Sequence, residues 1–412
     1  MWLLPVVFFG YQFVLRLWPG LMMPQLMTQF GIGASDFGVL ASLYYYGYAL
    51  MQLPMAVLLD RWGVRPVVAG CAVLCGLAMW VFSFTHNWWL ACGARLVIGG
   101  ASAAGFLSVS KVIAQWFPQN QYGRMVGVSF TLGLLGAVYG GKPVSAWIER
   151  SGWAAVSWAL GFVALGIGLL VLLVVKDPKA EGTQAAAPAA GWKDFGRLFT
   201  MPAVVLLALV NLLLVGPLEG FADVWGVQYL GVVYALDQGD AAWLTSLIFV
   251  GMLVGGPLLA TLARWLGNLR LISFCGFGMA ALFALLLSGW LSAHEALAGI
   301  LLMVGILCCY QVLVFAAGAR LVRPAWLGVT VALLNCINML GGSFFHTAIG
   351  LAMDRAWTGQ FSACGLRHYD ATAFQQALQI IPVCAALGGG LAAWLAFRHA
   401  RRRQAEGSSA PV

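Results

Sequence analysis

An arginine in the middle of an apolar run is the first residue here whose type and place demand a chemical reason. Arg16 lies near the centre of the run 3–27, too deep to snorkel cheaply to an end. Gln12, four residues earlier, shares its helical face. A guanidinium there can grip a carboxylate through two parallel hydrogen bonds, or serve a purely structural ion pair. Two acids stand in a later apolar run, 203–231: Glu219 at its middle and Asp223 one turn further, pointing toward the outer mouth. Acids at such depth suit proton coupling. Arg95 and Lys142 also fall inside apolar runs. Arg95 is grouped with the two acids as a proton-coupling candidate, a buried partner and an outward snorkel both staying open for it, and Lys142 is expected to snorkel.

Weaker polar candidates lie on other runs. Tyr45, Tyr48 and Gln52 fall on one helical stripe; Tyr310 with Gln311, and Asn335 with Asn338, follow later. Each suits a substrate contact or an interhelical hydrogen bond. His346 reads as a packed or pore-facing neutral imidazole, a proton role being the alternative. His86, His294, His368 and His399 sit in loops or the tail, and the nine cysteines, mostly in apolar runs, show no ligand spacing. No metal site, cofactor or catalytic cluster is expected, so the chain is not read as an enzyme. It lacks G-x-x-x-x-G-K-[ST], which excludes ATP-driven transport by this chain alone.

The elements that must position these residues are membrane helices. Of 412 residues, 62% are hydrophobic and 9% charged, with mean hydropathy +0.89. A soluble surface cannot be built from so few charges. Windows of about 20 apolar residues give twelve spans: 3–27, 36–58, 66–84, 88–111, 124–146, 153–175, 203–231, 241–263, 271–290, 295–318, 327–352 and 374–397. The first lacks a basic leader and is read as a retained span. With the N-terminus inside, the 22 Lys and Arg divide into sixteen cytoplasmic, three external (Arg150, Arg355, Arg367) and three within spans. That asymmetry accounts for the +8 charge without nucleic acid.

The expected organisation is a bundle over 1–175, a cytoplasmic linker over 176–200, a second bundle over 201–397 and a basic tail over 398–412. Trp192, Phe195, Leu198 and Phe199 among Lys193, Asp194 and Arg197 suit a short interfacial helix. The halves repeat: Pro54, Arg61 and Trp62 recur 203 residues later as Pro257, Arg264 and Trp265. The same shift carries Arg16 onto Glu219. Parallel repeats relate through an axis along the membrane normal, so these two should face each other at similar depth.

The loop Leu58-Leu59-Asp60-Arg61-Trp62-Gly63-Val64-Arg65 resembles the signature loop of the major facilitator superfamily, G-x-L-a-D-r-x-G-r-[RK]. It matches at Leu58, Asp60, Arg61, Gly63 and Arg65 and departs at Ala56 and Pro66. A topogenic basic loop would need no Asp-x-x-Gly, so Asp60, Arg61, Gly63 and Arg65 are read as a conformational latch. Arg95-Leu96-Val97-Ile98-Gly99 resembles the superfamily's R-x-x-x-G element. Gly133, Gly136, Gly140 and Gly141 are similar to its glycine-rich fifth helix, with Lys142 interrupting Gly-Pro. Within the superfamily, Tyr11 to Arg16 and Tyr46 to Pro54 look most like the anion:cation symporters. Tyr44-Tyr45-Tyr46 and the stretch Leu218 to Tyr229 also resemble amino-acid and nucleoside importers of intracellular bacteria.

That resemblance implies an all-α fold of twelve spans in two six-helix bundles, both termini cytoplasmic, with the first, fourth, seventh and tenth helices lining the cavity. It implies a monomeric carrier in a bacterial inner membrane, moving a carboxylate, sugar acid or amino acid by alternating access with a proton or sodium. Lipid is the only other partner expected. Two rivals stand: an exporter of hydrophobic compounds, and a membrane-embedded sensor or receptor.

Overall fold

A computed structural model describes residues 1–176, 198–291, 293–323, 326–361, 365 and 367–408. Most of the expected linker, with Trp192, Lys193, Asp194, Phe195 and Arg197, lies outside the described residues. Among those described, the chain forms twelve rods and one isolated bridge, Phe361 to Arg367. The rods are α1 Leu3–Leu21, α2 Ala34–Trp62, α3 Val64–Phe84, α4 Trp88–Trp116, α5 Tyr122–Ser151, α6 Trp153–Val174, α7 Pro202–Val233, α8 Gln238–Leu266, α9 Asn268–Leu287, α10 His294–Leu321, α11 Gly328–Ala356 and α12 Ala371–His399. Eleven are long and apolar enough to cross a membrane. The twelfth, α2, has the length, 29 residues. Asp36, Gln52 and four tyrosines dilute its hydropathy, and Tyr44, Tyr45, Tyr48 and Gln52 of these are buried against other rods. The chain is a multi-pass membrane protein.

Breaks in the rods have local causes. Pro19 and Pro24 flank the joint where α1 gives way to the short helix Met23–Phe30. Gly141 and Pro143 break α5 before Lys142–Ser151. In α7 the stretch Gly216–Trp225 is π-helical, opening at Gly216-Pro217. Proline cannot donate to the ladder, and the wider i→i+5 turn takes up the slack. The last rod continues as helix to Ser408, so Arg398 and Arg401 ride on it, 4.2 Å over Trp394 and 4.4 Å over Phe397.

The sequence repeat is matched by a packing repeat. Where α2 crosses α4, a Cβ on Gly47 would stand 2.1 Å from Leu96 O, and one on Gly99 1.9 Å from Tyr44 O. Where α8 crosses α10, Gly251 meets Leu302 O at 2.2 Å and Gly305 meets Ile248 O at 2.0 Å in the same reciprocal way. Only glycine lets the backbones approach so closely. The turns after α2 and α8 also agree: Gly63 has φ +87° and Gly267 φ +81°, both in the region that favours glycine.

The first six and last six rods meet along three seams. Rod α2 packs on α11, α5 on α8, and α1 on α7. The α2–α11 seam runs from Ala34 against Gly350 to Cys336 against Ala49. In α5–α8, Lys142 Nζ pairs with Asp240 Oδ1 at 2.9 Å, so Lys142 bonds across the seam rather than simply snorkelling. Next to it, Gln238 donates to Leu21 O at 2.5 Å. All of these lie at mid-depth or toward the end opposite Arg61, Arg65, Lys111, Arg124, Arg264 and Arg270. By the positive-inside rule the sealed end is the outer one.

Candidate functional site

Arg16 is the centre of the interior polar group. Its Nη1 lies 3.2 Å from Glu219 Oε2 and its Nε 2.8 Å from Asp223 Oδ2, with Nη2 3.2 Å from Asp223 Oδ1. Nη2 donates a hydrogen bond to Asp223 Oδ1, and the Nε and Nη1 contacts are ion pairs. All three residues are buried, Arg16 being 8% exposed and the acids 1% and 2%. The repeat predicted the Arg16–Glu219 approach. Asp223 is the correction: sequence reading sent it toward the outer mouth, but it is an equal partner of Arg16. Residues four apart share one helix face, and the Arg16 guanidinium is broad enough to meet both acids across that one turn, Nη1 at Glu219 and Nε with Nη2 at Asp223.

Further hydrogen bonds tie the acids to other rods. Tyr45 OH of α2 donates to Asp223 Oδ2. Asn338 Nδ2 of α11 donates to Glu219 Oε1 at 3.1 Å, and Gln311 Nε2 of α10 donates to Asn338 Oδ1 at 3.0 Å. The guanidinium also lies 5.0 Å from the Phe13 ring and 5.8 Å from the Tyr45 ring. One cation thus faces two acids, with hydrogen-bonded links to α2, α10 and α11.

Other expected site residues divide by contact. Gln12 is buried with Oε1 unpartnered, close against Gly105 of α4. Tyr48 stacks 6.3 Å from Tyr44, and Gln52 is buried with Oε1 unpartnered. Tyr310 donates to Asn211 O at 3.2 Å, a bond between α10 and α7. Asn335 is half-buried, one turn before Asn338. Arg95 is fully buried and does not snorkel: Nη1 donates to Leu15 O at 2.6 Å and Nη2 to Arg16 O at 3.1 Å. Its guanidinium also lies 4.8 Å from the Tyr44 ring. These contacts hold the α1 backbone beneath Arg16.

At the basic end, Asp60 meets Lys111 Nζ of α4 at 2.7 Å, and Lys111 also donates to Leu59 O. Arg65 Nε donates to Leu172 O of α6 at 2.8 Å, while Arg61 is exposed. In this state the signature loop is tied within the first six rods. Lys111 was not foreseen as the partner of Asp60. It stands 51 residues away, and only the α2–α4 crossing brings the two together.

The sealed end carries an acid that sequence reading passed over. Asp354 of α11 accepts from Ala34 N at 3.3 Å and Ser35 N at 3.1 Å, capping α2. Ser35 Oγ, Tyr369 OH and Arg367 Nη1, the last at 2.9 Å, complete its shell. Burial first, then Asp354, pushes the Tyr369 phenol up to about 12, so its hydroxyl stays a donor. The signal was an Asp at a span end opposite a Ser-Asp helix start, which is too common to stand out.

Comparison with known proteins places this architecture. A family model described as Major Facilitator Superfamily matches residues 6–346. A probable sulfoacetate transporter of Cupriavidus necator is 24% identical over 63% of this chain and 65% of its own length. The chain thus spans just under two thirds of that relative. A probable chloroplastic anion transporter of Oryza sativa is 22% identical over 84% of this chain and 70% of its own. A quinolone resistance transporter of Acinetobacter baumannii is 24% identical over 81% of both. Among solved structures, a bacterial homologue of the human lysosomal transporter Spinster, in an inward-facing and occupied conformation, superposes with TM-score 0.75 over 96% of both chains at 15% identity.

Proposed function

The chain belongs to the major facilitator superfamily, and from that premise we propose that it carries a small organic anion across the bacterial inner membrane, coupled to protons. The observation that carries this reading is the buried Arg16 between Glu219 and Asp223. With both acids ionised the group holds one net negative charge. An incoming carboxylate or sulfonate takes the guanidinium and would leave two bare carboxylates in a dry site. An unpaired buried charge costs about 3–5 kcal/mol, so the anion enters at low cost only when protons neutralise the acids. Anion and proton then move together.

The links to other rods convert occupancy into motion. When protons neutralise Asp223 and Glu219, Tyr45 and Asn338 donate to neutral carboxyls, and the charge-assisted bonds that tie α2 and α11 to α7 weaken. Freeing those contacts lets the two sets of six rods rock about the site, the alternating access expected of parallel repeats. The anion reading draws support from the relatives named for sulfoacetate and anion transport. The relative named for quinolone resistance keeps the drug exporter as the rival.

The deciding experiment uses proteoliposomes with an imposed pH gradient and a panel of sulfoacetate, acetate, glucarate and norfloxacin. Saturable, gradient-driven uptake of an anion, lost in Arg16→Ala, is expected. Movement of norfloxacin alone, unaffected by Arg16→Ala, would replace this reading with the exporter.

A further inference from the structure

One buried group in the α2–α11 seam has no use in the sealed state. His346 is fully buried, and both of its ring nitrogens lack a hydrogen-bond partner. Its ring lies 5.1 Å from that of Tyr45, which also faces the Arg16 guanidinium at 5.8 Å. Buried polar residues on either side of it on α11 have partners: Asn338 bonds Glu219, Ser343 Oγ donates to Ser42 O at 3.2 Å, and Asp354 caps α2. Among the described residues of α11, His346 alone carries buried side-chain polar atoms with nothing to bond. A phenyl ring would fill the same space without the cost of burying two unpaired nitrogens.

The position gives those nitrogens a use. His346 lies between the Ser42–Ser343 contact and the Ala34–Gly350 contact, inside the seal. Its own carbonyl packs on Gly38 of α2, and the preceding Phe345 faces α7 at Gly216. To admit a solute from outside, α2 must leave α11 here, and the imidazole is then uncovered beside Tyr45 and outward of Arg16.

We propose that His346 is a substrate-binding residue of the outward-open state, its imidazole N–H bonding an oxygen of the anion before Arg16 receives it. This rests on the anion-carrier reading. The favoured substrate has a second oxygen-bearing group, such as a sulfonate or hydroxyl, so that Arg16 and His346 are engaged at once. The group is uncovered from one side only, so its effect is sided.

The test compares right-side-out and inside-out vesicles carrying wild type, His346→Ala, His346→Gln and His346→Phe, with sulfoacetate, acetate and glucarate as probes. In His346→Ala the KM for the external anion should rise about ten- to a hundredfold, the scale of one hydrogen bond lost to a charged group. The KM from the cytoplasmic side and kcat should change less than about twofold, and His346→Gln, which keeps an N–H donor, should recover most of the loss. Sulfoacetate and glucarate should suffer more than acetate. Equal KM changes on both sides, or normal external KM in His346→Phe, would make His346 a spacer and overturn the proposal. If wild type carries no anion of the panel, the carrier reading falls and this inference with it. Anion uptake that does not depend on His346 removes the inference alone.

Discussion

The two halves of the molecule share a scaffold and differ in what they do with it. Both cross their second and fourth rods on reciprocal glycines, Gly47 with Gly99 and Gly251 with Gly305, and both turn on a left-handed glycine, Gly63 and Gly267. At the deep polar group the likeness ends. The first half offers a cation on an α-helical α1, while the second offers two acids on a π-helical stretch of α7. The backbone crossings are what a repeated motion needs, and the charges are what selectivity needs. Duplication preserves the first, and divergence at equivalent depth creates the second.

The largest expected effect breaks this contrast at its centre. Arg16→Ala leaves Glu219 and Asp223 without their cation, which costs about 3–5 kcal/mol if both stay charged. The structure avoids that cost by taking up protons, so folding survives at acid pH while anion uptake falls below detection. Uptake and thermal unfolding measured from pH 5 to pH 8 check both parts.

Next come the crossings. Gly99→Val and Gly305→Val each drive a side chain into a carbonyl, since even a Cβ would stand 1.9 Å and 2.0 Å away. Both should reduce folded protein in the membrane severely and to a similar degree, because the scaffold treats the halves alike. Gly93→Ala, where nothing lies within 4 Å, is the matched control and should accumulate normally. Unequal losses at Gly99 and Gly305 would show that the halves bear unequal packing loads.

Smaller and more diagnostic is the contrast between the acids. Glu219→Gln keeps a partner for Asn338 and leaves Arg16 neutralised by Asp223 alone. Counterflow, which needs no net proton movement, should persist near the wild-type rate, while pH-driven accumulation falls about tenfold, the lower end of coupling energies between linked sites. If accumulation keeps its pH dependence, Glu219 is not a coupling residue.

How much of this was legible in the sequence depends on the range of the interaction. Spans, orientation and the depth of Arg16 follow from hydropathy and charge, which are local properties. The Arg16–Glu219 approach was legible because a repeat converts a sequence shift into a spatial relation. Asp223 was misplaced because one turn of depth was taken to separate it from Arg16, whereas the long side chain and broad guanidinium of Arg16 span that turn and meet both acids. Arg95 was left between two readings because its partners are backbone carbonyls, Leu15 O and Arg16 O, and carbonyls have no sequence signature. Lys111, Asp354 and the unpaired His346 were missed or undervalued for one common reason. Each acquires meaning only from the neighbouring rod, and neither spacing nor composition says which rods are neighbours.

The smallest expected effect sharpens the comparison at the signature loop. Asp60 pairs with Lys111 at an exposed site, its side chain 66% accessible. Exposed pairs of this kind are worth about 0–1 kcal/mol, so Asp60→Asn should leave thermal stability nearly unchanged. The repeat puts Ala263 where the first half has Asp60, and the shift that carries Gly99 of α4 onto Gly305 of α10 carries Lys111 onto Ala317. The second half therefore lacks both the acid and the lysine. Ala263→Asp alone should not create a second latch: the half-buried carboxylate gains no lysine from α10 and slightly lowers the melting temperature. Adding Ala317→Lys should restore that loss if the halves share their geometry here as they do at the glycine crossings. Recovery in the double variant, read as a coupling energy from the four melting curves, would mean that Asp60–Lys111 is a removable addition to a symmetric frame. No coupling would mean that the frames themselves diverge at the basic end, and that the symmetry of the glycine crossings stops short of it.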